Sequence, residues 1–512
     1  MTLHKKFNNW SLFVFYVPAF MVCAIFSAFI NTSGQRGNLI RNDFYSNKEA
    51  KILSDSLDGL LSRIKQSFGG AEINLTLGVV KDGEVFLKKN CGFSNPETKT
   101  LFSDHTQIYL ASTSKSLTGT LAAVLDHKGI IKLDHTLADY FPDFHFDDKN
   151  IHPEKITIRS LMTHTHGIKN NDLVVWTAFI GHKGAEQMMA LLKNYSTALP
   201  DQAFYYSNLG PVIYSLIVEK QTGKPWQEVM NEQVFQPLNM QKTTAYISKA
   251  NPRYISNVID QSEGRLKSVF DKADNSMSAA GGHVSTVNDL LKYLQFFISG
   301  GSSVPGLLSK QEIDFSVSAI VPQKNRYQSY ERFGYGLGWE QSIFNGEQLV
   351  SRLGGYSGIS SHLSFMKDHK IGIVVLSNKK GMEALAHLVA NYVYNSMLSK
   401  GNKNEIVKEN LASLKRNFDS DMLETKEIRE AKELHILTDK KYAGFYNGAE
   451  KSGTMKINKT GKVSWGNLKG QLLMLSDSTG IIDFKTMLRS FSVKKENNIL
   501  VGVYSNDRYF RR

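Results

Sequence analysis

From Lys48 to Phe68, apolar side chains recur at helical spacing: Leu53, Leu57, Leu60, Leu61 and Ile64 fall on one face and predict an amphipathic helix. Two apolar runs follow, INLTLGVV and VFLKKNCGF, on either side of Lys81-Asp82-Gly83-Glu84. Asp-Gly between two such runs is a strong short-range hairpin signal. A second pair, His362–Met366 and Lys370–Ser377, flanks Lys367-Asp368-His369, and a helical pattern runs from Met382 to Leu398. The stretch from 120 to 300 reads mostly helical, with loops at Pro142, Pro153, Pro200 and Gly300. Strands at both ends with helices between predict an α+β domain whose antiparallel sheet is closed by N- and C-terminal segments.

Beyond residue 400 the pattern changes twice. Residues 401–440 are rich in Lys, Glu, Asp and Asn and read as a charged helical linker. From Tyr442 short alternating runs broken by Gly take over: YAGFYNG, GTMKIN, GKVSWGN, GQLLML, GIIDF, SFSVK and ILVGVY. These seven runs predict a small antiparallel β-domain or barrel.

The chain opens differently. His4, Lys5 and Lys6 precede Trp10–Ile30, 21 residues without a charge. As a helix this stretch spans roughly 30 Å, one bilayer core, and exceeds the usual signal-peptide core of about 7–15 residues. It predicts a membrane anchor, preferred to a cleaved signal, and the flanking lysines place the body outside the cytoplasm. The expected organisation is a signal or anchor over 1–35, a main domain over 36–400, a linker over 401–440 and a β-domain over 441–512.

With 41% hydrophobic residues the chain can bury a large core. The formal net charge of +13 fits attraction to an anionic surface or plain lysine-rich composition. No basic run is interleaved with aromatics and no finger spacing occurs, which argues against a nucleic-acid partner. The two cysteines, Cys23 and Cys91, exclude a disulfide framework.

The candidate chemistry begins at ASTSKSLTG, where Ser112 precedes Lys115 by three positions at a helix start. Residues i and i+3 share a helix face. A serine needs a base, and a lysine serves if desolvation or a nearby cation lowers its pKa. The helix N-terminus favours a developing anion. The string also occurs at Ser62/Lys65, Ser377/Lys380 and Ser492/Lys495, but only Ser112 stands between an apolar strand end and a helix rich in small and apolar residues. Tyr-Ser-Asn occurs at Tyr45, Tyr206 and Tyr504, and only Tyr206, with Asn208, sits in a loop just before a helix. A tyrosine beside a lysine can relay a proton, and an asparagine amide can hold a carbonyl. His164 and His166 lack a third partner at metal-ligand spacing and read as turn residues.

Five segments occur in order: IYLASTSKSLTGTLAAVLDHKGIIKLD, ITIRSLMTHTHGI, FYYSNLGPVIYSLIVEKQTGKPW, VFQPLNMQKT and AAGGHVSTVNDLLKYL. Together they resemble the serine β-lactamase and penicillin-binding-protein superfamily, in its class C-like branch with esterases and D-amino-acid peptidases. The resemblance covers about residues 50–400, and the late β-domain is similar to the lipocalin-like domain that follows some members. It implies a β-lactamase-like sheet flanked by helices with a mainly helical subdomain. It implies Ser112 as nucleophile, Lys115 as base, Tyr206 in proton transfer and Asn208 orienting the substrate amide. The third family motif, Lys-Thr-Gly or His-x-Gly on an inner strand, matches Arg352-Leu353-Gly354 better than the literal Lys459-Thr460-Gly461 of the β-domain. The N–H groups of Ser112 and Gly355 would then form the oxyanion hole. Arg352 departs from the pattern: it stays protonated, so it is expected to fork onto an anionic substrate group. No metal or organic cofactor is implied. The expected activity is hydrolysis of an ester or amide, in a small-molecule or peptide substrate, through an acyl-enzyme. The rival is a non-catalytic binding or regulatory protein on the same fold.

Overall fold

The structure is a computed structural model. It describes residues 43–511 except 171–172, 175, 182–183, 201–202, 261–266, 270–271, 357, 435–441, 449–453, 475–478, 485–487, 497–498 and 505–506. The apolar segment Trp10–Ile30 lies outside the described residues, and among those described no helix is long and apolar enough to cross a membrane.

The main body is built on a nine-stranded antiparallel sheet. Its strands are β1 (Phe44–Tyr45), β2 (Leu75–Lys81), β3 (Glu84–Cys91), β4 (Val321–Tyr327), β5 (Tyr330–Tyr335), β6 (Glu340–Phe344), β7 (Glu347–Tyr356), β8 (Ile359–Met366) and β9 (Ile371–Ser377). Their order across the sheet is β1-β3-β2-β9-β8-β7-β6-β5-β4. The early hairpin pairs directly with the last strand, Leu77 opposite Val375, so the chain ends close the sheet as the pattern predicts. Asp82 and Gly83 both take positive φ, 53° and 86°, which the two-residue turn requires.

Helices cover both faces. Helix α1 (Lys48–Ser67) buries Leu53, Leu57, Leu60, Leu61 and Ile64 and is capped by the Asn47 side chain on the Ala50 N–H. Helix α2 (Ser114–His127) is different in kind: residues 114–125 are all buried. It is the central post between the sheet and the helical subdomain, and its small residues allow close contact on every side. Helix α3 (Leu209–Thr222) ends at Gly223 in the left-handed conformation. Helix α4 (Val287–Ile298) has a Thr286 cap and lies on the sheet, reaching Gly78 with Val287 and Leu291 and Gly372 with Leu294 and Ile298. Helix α5 (Leu385–Met397) packs against β9 and β8. Each large apolar side chain removed from water in this core contributes about 1.5–3 kcal/mol.

The charged stretch after residue 400 forms helix α6 (Lys403–Leu434). It does more than connect. Leu414 is buried, the Asn391 amide donates to Asn410 Oδ1, and Phe418 meets Phe68 edge-on at 5.1 Å between centroids. The last strands close into a barrel: β10 (Gly444–Gly448), β11 (Thr454–Ile457), β12 (Lys462–Trp465), β13 (Leu468–Met474), β14 (Thr479–Asp483), β15 (Leu488–Glu496), β16 (Ile499–Tyr504) and β17 (Asp507–Arg511). That is eight described strands, one more than the pattern predicts. The addition is β17, Asp-Arg-Tyr-Phe-Arg, whose charges hide it from a periodicity reading but whose pairing with β10 completes closure.

Candidate active site

Ser112 lies in a tight turn, Ala111–Thr113, that leads into α2. Ala111 is held at φ 47°, a region costly for a residue with a Cβ. Strands β7 and β8 hold this turn in place. Thr113 Oγ1 meets Ser361 Oγ at 2.7 Å, and Ser361 Oγ donates to the Leu110 carbonyl at 2.8 Å. Gly354 on β7 is packed so close that a Cβ there would lie 2.2 Å from Leu110 O and 2.8 Å from Thr113 N.

Two of the expected residues converge on the hydroxyl oxygen of a third. Lys115 Nζ donates to Ser112 Oγ at 3.2 Å, and Tyr206 Oη donates to the same Oγ at 2.9 Å. Lys115 Nζ also donates to Asn208 Oδ1 at 2.6 Å and to the Ala280 carbonyl at 2.9 Å. Two N–H bonds therefore go to fixed oxygens. Removing the third proton leaves a lone pair aimed at Ser112, the geometry a base requires. Asn208 serves the lysine through its oxygen, while its amide nitrogen lies 3.7 Å from Met277 Sδ.

Arg352 corrects the sequence expectation. It is 3% exposed and its guanidinium is already engaged. Nε donates to the Ser112 carbonyl at 2.9 Å, Nη1 pairs with Glu340 Oε1 at 3.2 Å, and Nη2 donates to Tyr206 Oη. It is a clamp on the tyrosine rather than a fork held open for a substrate carboxylate. The physical reason is that Glu340, on the neighbouring strand β6, already gives the buried cation a partner.

Two pKa values move toward neutrality. Burial lowers that of Lys115 to about 8, with the Arg352 charge adding to the effect. For Tyr206 burial works the other way, but Arg352 and Lys115 outweigh it and hold the phenol down to about 8. The two groups lie close, Lys115 Nζ being 5.0 Å from the Tyr206 ring centroid, so they titrate as a pair. Although 40% of Tyr206 is exposed, its hydroxyl points inward to Ser112 and Arg352.

Several site residues, Glu340 and Ala280 among them, are not singled out by local spacing of chemical groups. His164 packs its ring 4.7 Å from that of Tyr206 and shares a hydrogen bond with Tyr335 Oη at 3.1 Å; burial, with nearby Lys115 and Arg352, keeps its pKa well below the usual range. It is thus a neutral buttress. His166 Nδ1 accepts from the Ile168 N–H, so the two histidines are turn residues, as the spacing indicates. Among the described residues no group of three or more His, Cys, Asp or Glu is placed to hold a metal. His164 lies in the segment ITIRSLMTHTHGI and Ala280 in AAGGHVSTVNDLLKYL, while Glu340 directly follows the glycine-rich FGYGLGW.

Ser112, Arg352, Gly354 and Gly355 line a cavity of about 340 Å³. The alternative motifs lie elsewhere. Ser62 is on the exposed side of α1, Ser377 ends β9, and Ser492 is on β15. Tyr45 is on edge strand β1 and Tyr504 ends β16. Lys459-Thr460-Gly461 forms the turn between β11 and β12, organised by Asn458 Oδ1 on the Thr460 N–H. The barrel does reach the back wall of the site. Asn467 Nδ2 donates to Asn275 Oδ1 at 2.9 Å and Trp176 packs on the barrel core, next to Thr177, whose carbonyl holds the Met277 N–H.

A serine bonded to both a buried lysine three residues on and a tyrosine, on the first turn of a helix beside an antiparallel sheet, is the arrangement of the Ser-x-x-Lys serine hydrolases. The sequence agrees with that class: residues 62–393 match the family described as Beta-lactamase, and the chain belongs to it. Penicillin-binding protein 4* of Bacillus subtilis is 23% identical over 327 residues, covering 60% of this chain and 69% of the relative. Protein flp of Staphylococcus aureus is 25% identical over 304 residues, covering 59% of this chain and 58% of the relative. In fold, the chain is similar to the octameric penicillin-binding protein homologue from Pyrococcus abyssi, with a TM-score of 0.56 and 20% identity over 90% of this chain and 99% of that one. It is also similar to the D-amino acid amidase of Ochrobactrum anthropi, with a TM-score of 0.54 and 18% identity over 71% of this chain and 99% of that one.

Proposed function

We propose that the protein is an exported serine hydrolase that cleaves an ester or amide bond through an acyl-enzyme on Ser112. The observation that carries this reading is the convergence of Lys115 Nζ and Tyr206 Oη on Ser112 Oγ. In the active protonation state the Lys115–Tyr206 pair has lost one proton. The pair accepts the Ser112 proton as Oγ bonds to the substrate carbonyl carbon. The resulting oxyanion faces the N–H groups of Ser112 and Gly355, which stabilise it as it forms. Collapse expels the alcohol or amine, protonated by the pair, and water then attacks the acyl-serine by the same route. Arg352 sets the position and charge of Tyr206 and stays protonated throughout.

The candidate substrate classes are small esters, D-amino-acid amides or peptides, and β-lactams; the similarity to a D-amino acid amidase and to penicillin-binding proteins supports the amide and β-lactam members of that range. The residues upstream of the body, with Trp10–Ile30 as anchor, support a location at the outer face of the cell membrane. The test is steady-state hydrolysis of matched members of these three classes by the full chain and by Ser112→Ala. Turnover of at least one class, lost by about a thousandfold or more in the variant, supports the reading. Equal rates in both proteins would end it and leave the fold as a binding module.

A further inference from the structure

Lys115 Nζ gives one of its hydrogen bonds to the Ala280 carbonyl, and Thr118 Oγ1, three residues further along α2, gives one to the Ala279 carbonyl at 2.6 Å. The stretch that presents these two carbonyls is strained. Met277 and Ser278, just before them, both take left-handed conformations, with φ 63° and 46°. Such conformations are costly for residues with a Cβ and persist only where the surroundings hold them.

The stretch is held from two sides. From within the main body, Ser278 Oγ meets Ser215 Oγ of α3 at 3.0 Å. From the outer side, the Met277 N–H donates to the Thr177 carbonyl at 2.6 Å. Thr177 belongs to a wide turn over residues 176–181, closed by the Gly181 N–H on the Trp176 carbonyl at 2.8 Å. Turns with this spacing are rare and recur at functional sites.

The barrel meets this wide turn at both ends. At its start Trp176 packs on the barrel core. At its end Gly181, with φ 83°, lies so close that a Cβ would stand 2.3 Å from Asn467 Nδ2 and 2.8 Å from Asn275 Nδ2. Asn467 sits in the turn between β12 and β13 and donates to Asn275 Oδ1 at 2.9 Å. Asn275 stands two residues before Met277. The barrel therefore reaches the strained stretch along two lines, one through Asn275 and one through the Thr177 carbonyl.

We propose that Asn467 is a positioning residue for the reaction at Ser112: the β12–β13 turn, with Trp176, holds Met277 and Ser278 in place and so keeps the Ala280 carbonyl on Lys115. Once the hold is released, the stretch relaxes and Lys115 Nζ loses a fixed acceptor. Its lone pair is then no longer aimed at Ser112 Oγ. The described lining of the cavity includes neither Asn467 nor Asn275, so the chemical step suffers rather than substrate binding. Asp274 is tied separately to Ser248, which makes the loss partial. The effect on Ser112 rests on the acyl-enzyme reading above; the hold of the barrel on the wall does not.

The test compares the full chain with Asn467→Ala, Asn275→Ala, the double variant, and Lys462→Ala, an exposed position at the other end of β12. The first readout is amide hydrogen exchange over residues 275–282. It is expected to quicken by about tenfold in Asn467→Ala and to stay at the parent rate in Lys462→Ala. The second readout is labelling by a fluorophosphonate probe, with steady-state hydrolysis of phenyl acetate. In Asn467→Ala the labelling rate and kcat should fall by about tenfold, with KM within about twofold of the parent. Thermal unfolding should drop by no more than about 2 °C. The double variant should be no worse than the weaker single, because both act through one contact. Unchanged exchange in Asn467→Ala overturns the proposal and leaves the hydrolase reading standing. Faster exchange with labelling and kcat unchanged also overturns it, as does an equal loss in Lys462→Ala or a fully additive loss in the double variant. Faster exchange in Asn467→Ala, where the parent neither labels nor turns over the ester, supports the hold of the barrel on the wall and counts against the hydrolase reading alone.

Discussion

At Lys115 the burial that lowers its pKa also removes the water that would compete for its lone pair, so one cause serves both needs of a base. Arg352 acts on both partners in the same direction: its charge lowers the pKa of Lys115 and of Tyr206. Below the paired value near 8 the pair is fully protonated and acylation is slow; kcat/KM rises as pH passes through that range. Arg352→Gln removes the cation, so both pKa values rise and the midpoint moves to higher pH, with the rate at pH 7 reduced by about a hundredfold. A pH–rate profile measured with a neutral aryl ester reads this, and an unmoved midpoint would mean that Arg352 does not tune Tyr206. The residue roles were legible to unequal degrees. Ser112, Lys115 and Tyr206 could be picked out because a serine and lysine share a helix face and a tyrosine precedes a helix. Glu340 and His164 could not, because their roles depend on a contact between neighbouring strands and on ring packing that no local spacing encodes.

Among the elements, the contact between β7 and the turn of Ser112 is the tightest constraint. A Cβ on Gly354 would collide with the Leu110 and Thr113 backbone and the Ser361 hydroxyl, whereas one on Gly355 would meet nothing nearer than Ile359 O at 4.0 Å. Gly354→Ala is therefore expected to lose about 1–3 kcal/mol of stability and, by shifting the turn, about a hundredfold in kcat. Gly355→Ala should unfold like the parent. Thermal unfolding of the two variants side by side checks this, and equal losses would contradict the geometry. The strands that form this region were only partly legible. The Asp82-Gly83 hairpin and the β8–β9 pair announce themselves by apolar runs around turn residues. Strand β4, Val-Pro-Gln-Lys-Asn-Arg-Tyr, is an edge strand with mostly exposed positions, so it lacks the alternation a half-buried strand shows. Helix α6 was readable as helical but not as part of the wall, since one buried leucine and an asparagine pair leave little periodic trace.

The whole molecule joins three features: a charged, basic body, a long helix that carries the chain back across the site, and a barrel that touches the wall behind Asn208. Net charge of +13 and the uncharged stretch Trp10–Ile30 together predict membrane association. Expressed in a bacterial host, the full chain is expected in the membrane fraction, with its body cut by protease added outside the inner membrane. A chain starting at residue 36 is expected in the soluble fraction. Recovery of the intact full chain from the cytoplasm would contradict the exported placement while leaving the chemistry of the site untouched.

The central claim is that Ser112 is a nucleophile made reactive by the Lys115–Tyr206 pair. Intact-protein mass spectrometry after incubation with a fluorophosphonate probe tests it most directly, with Ser112→Ala and Lys115→Met as controls. The account predicts one adduct on the parent chain, none on Ser112→Ala, and labelling slowed by about a hundredfold or more on Lys115→Met. A folded parent chain that takes up no adduct, or an adduct that persists in Ser112→Ala, would contradict it.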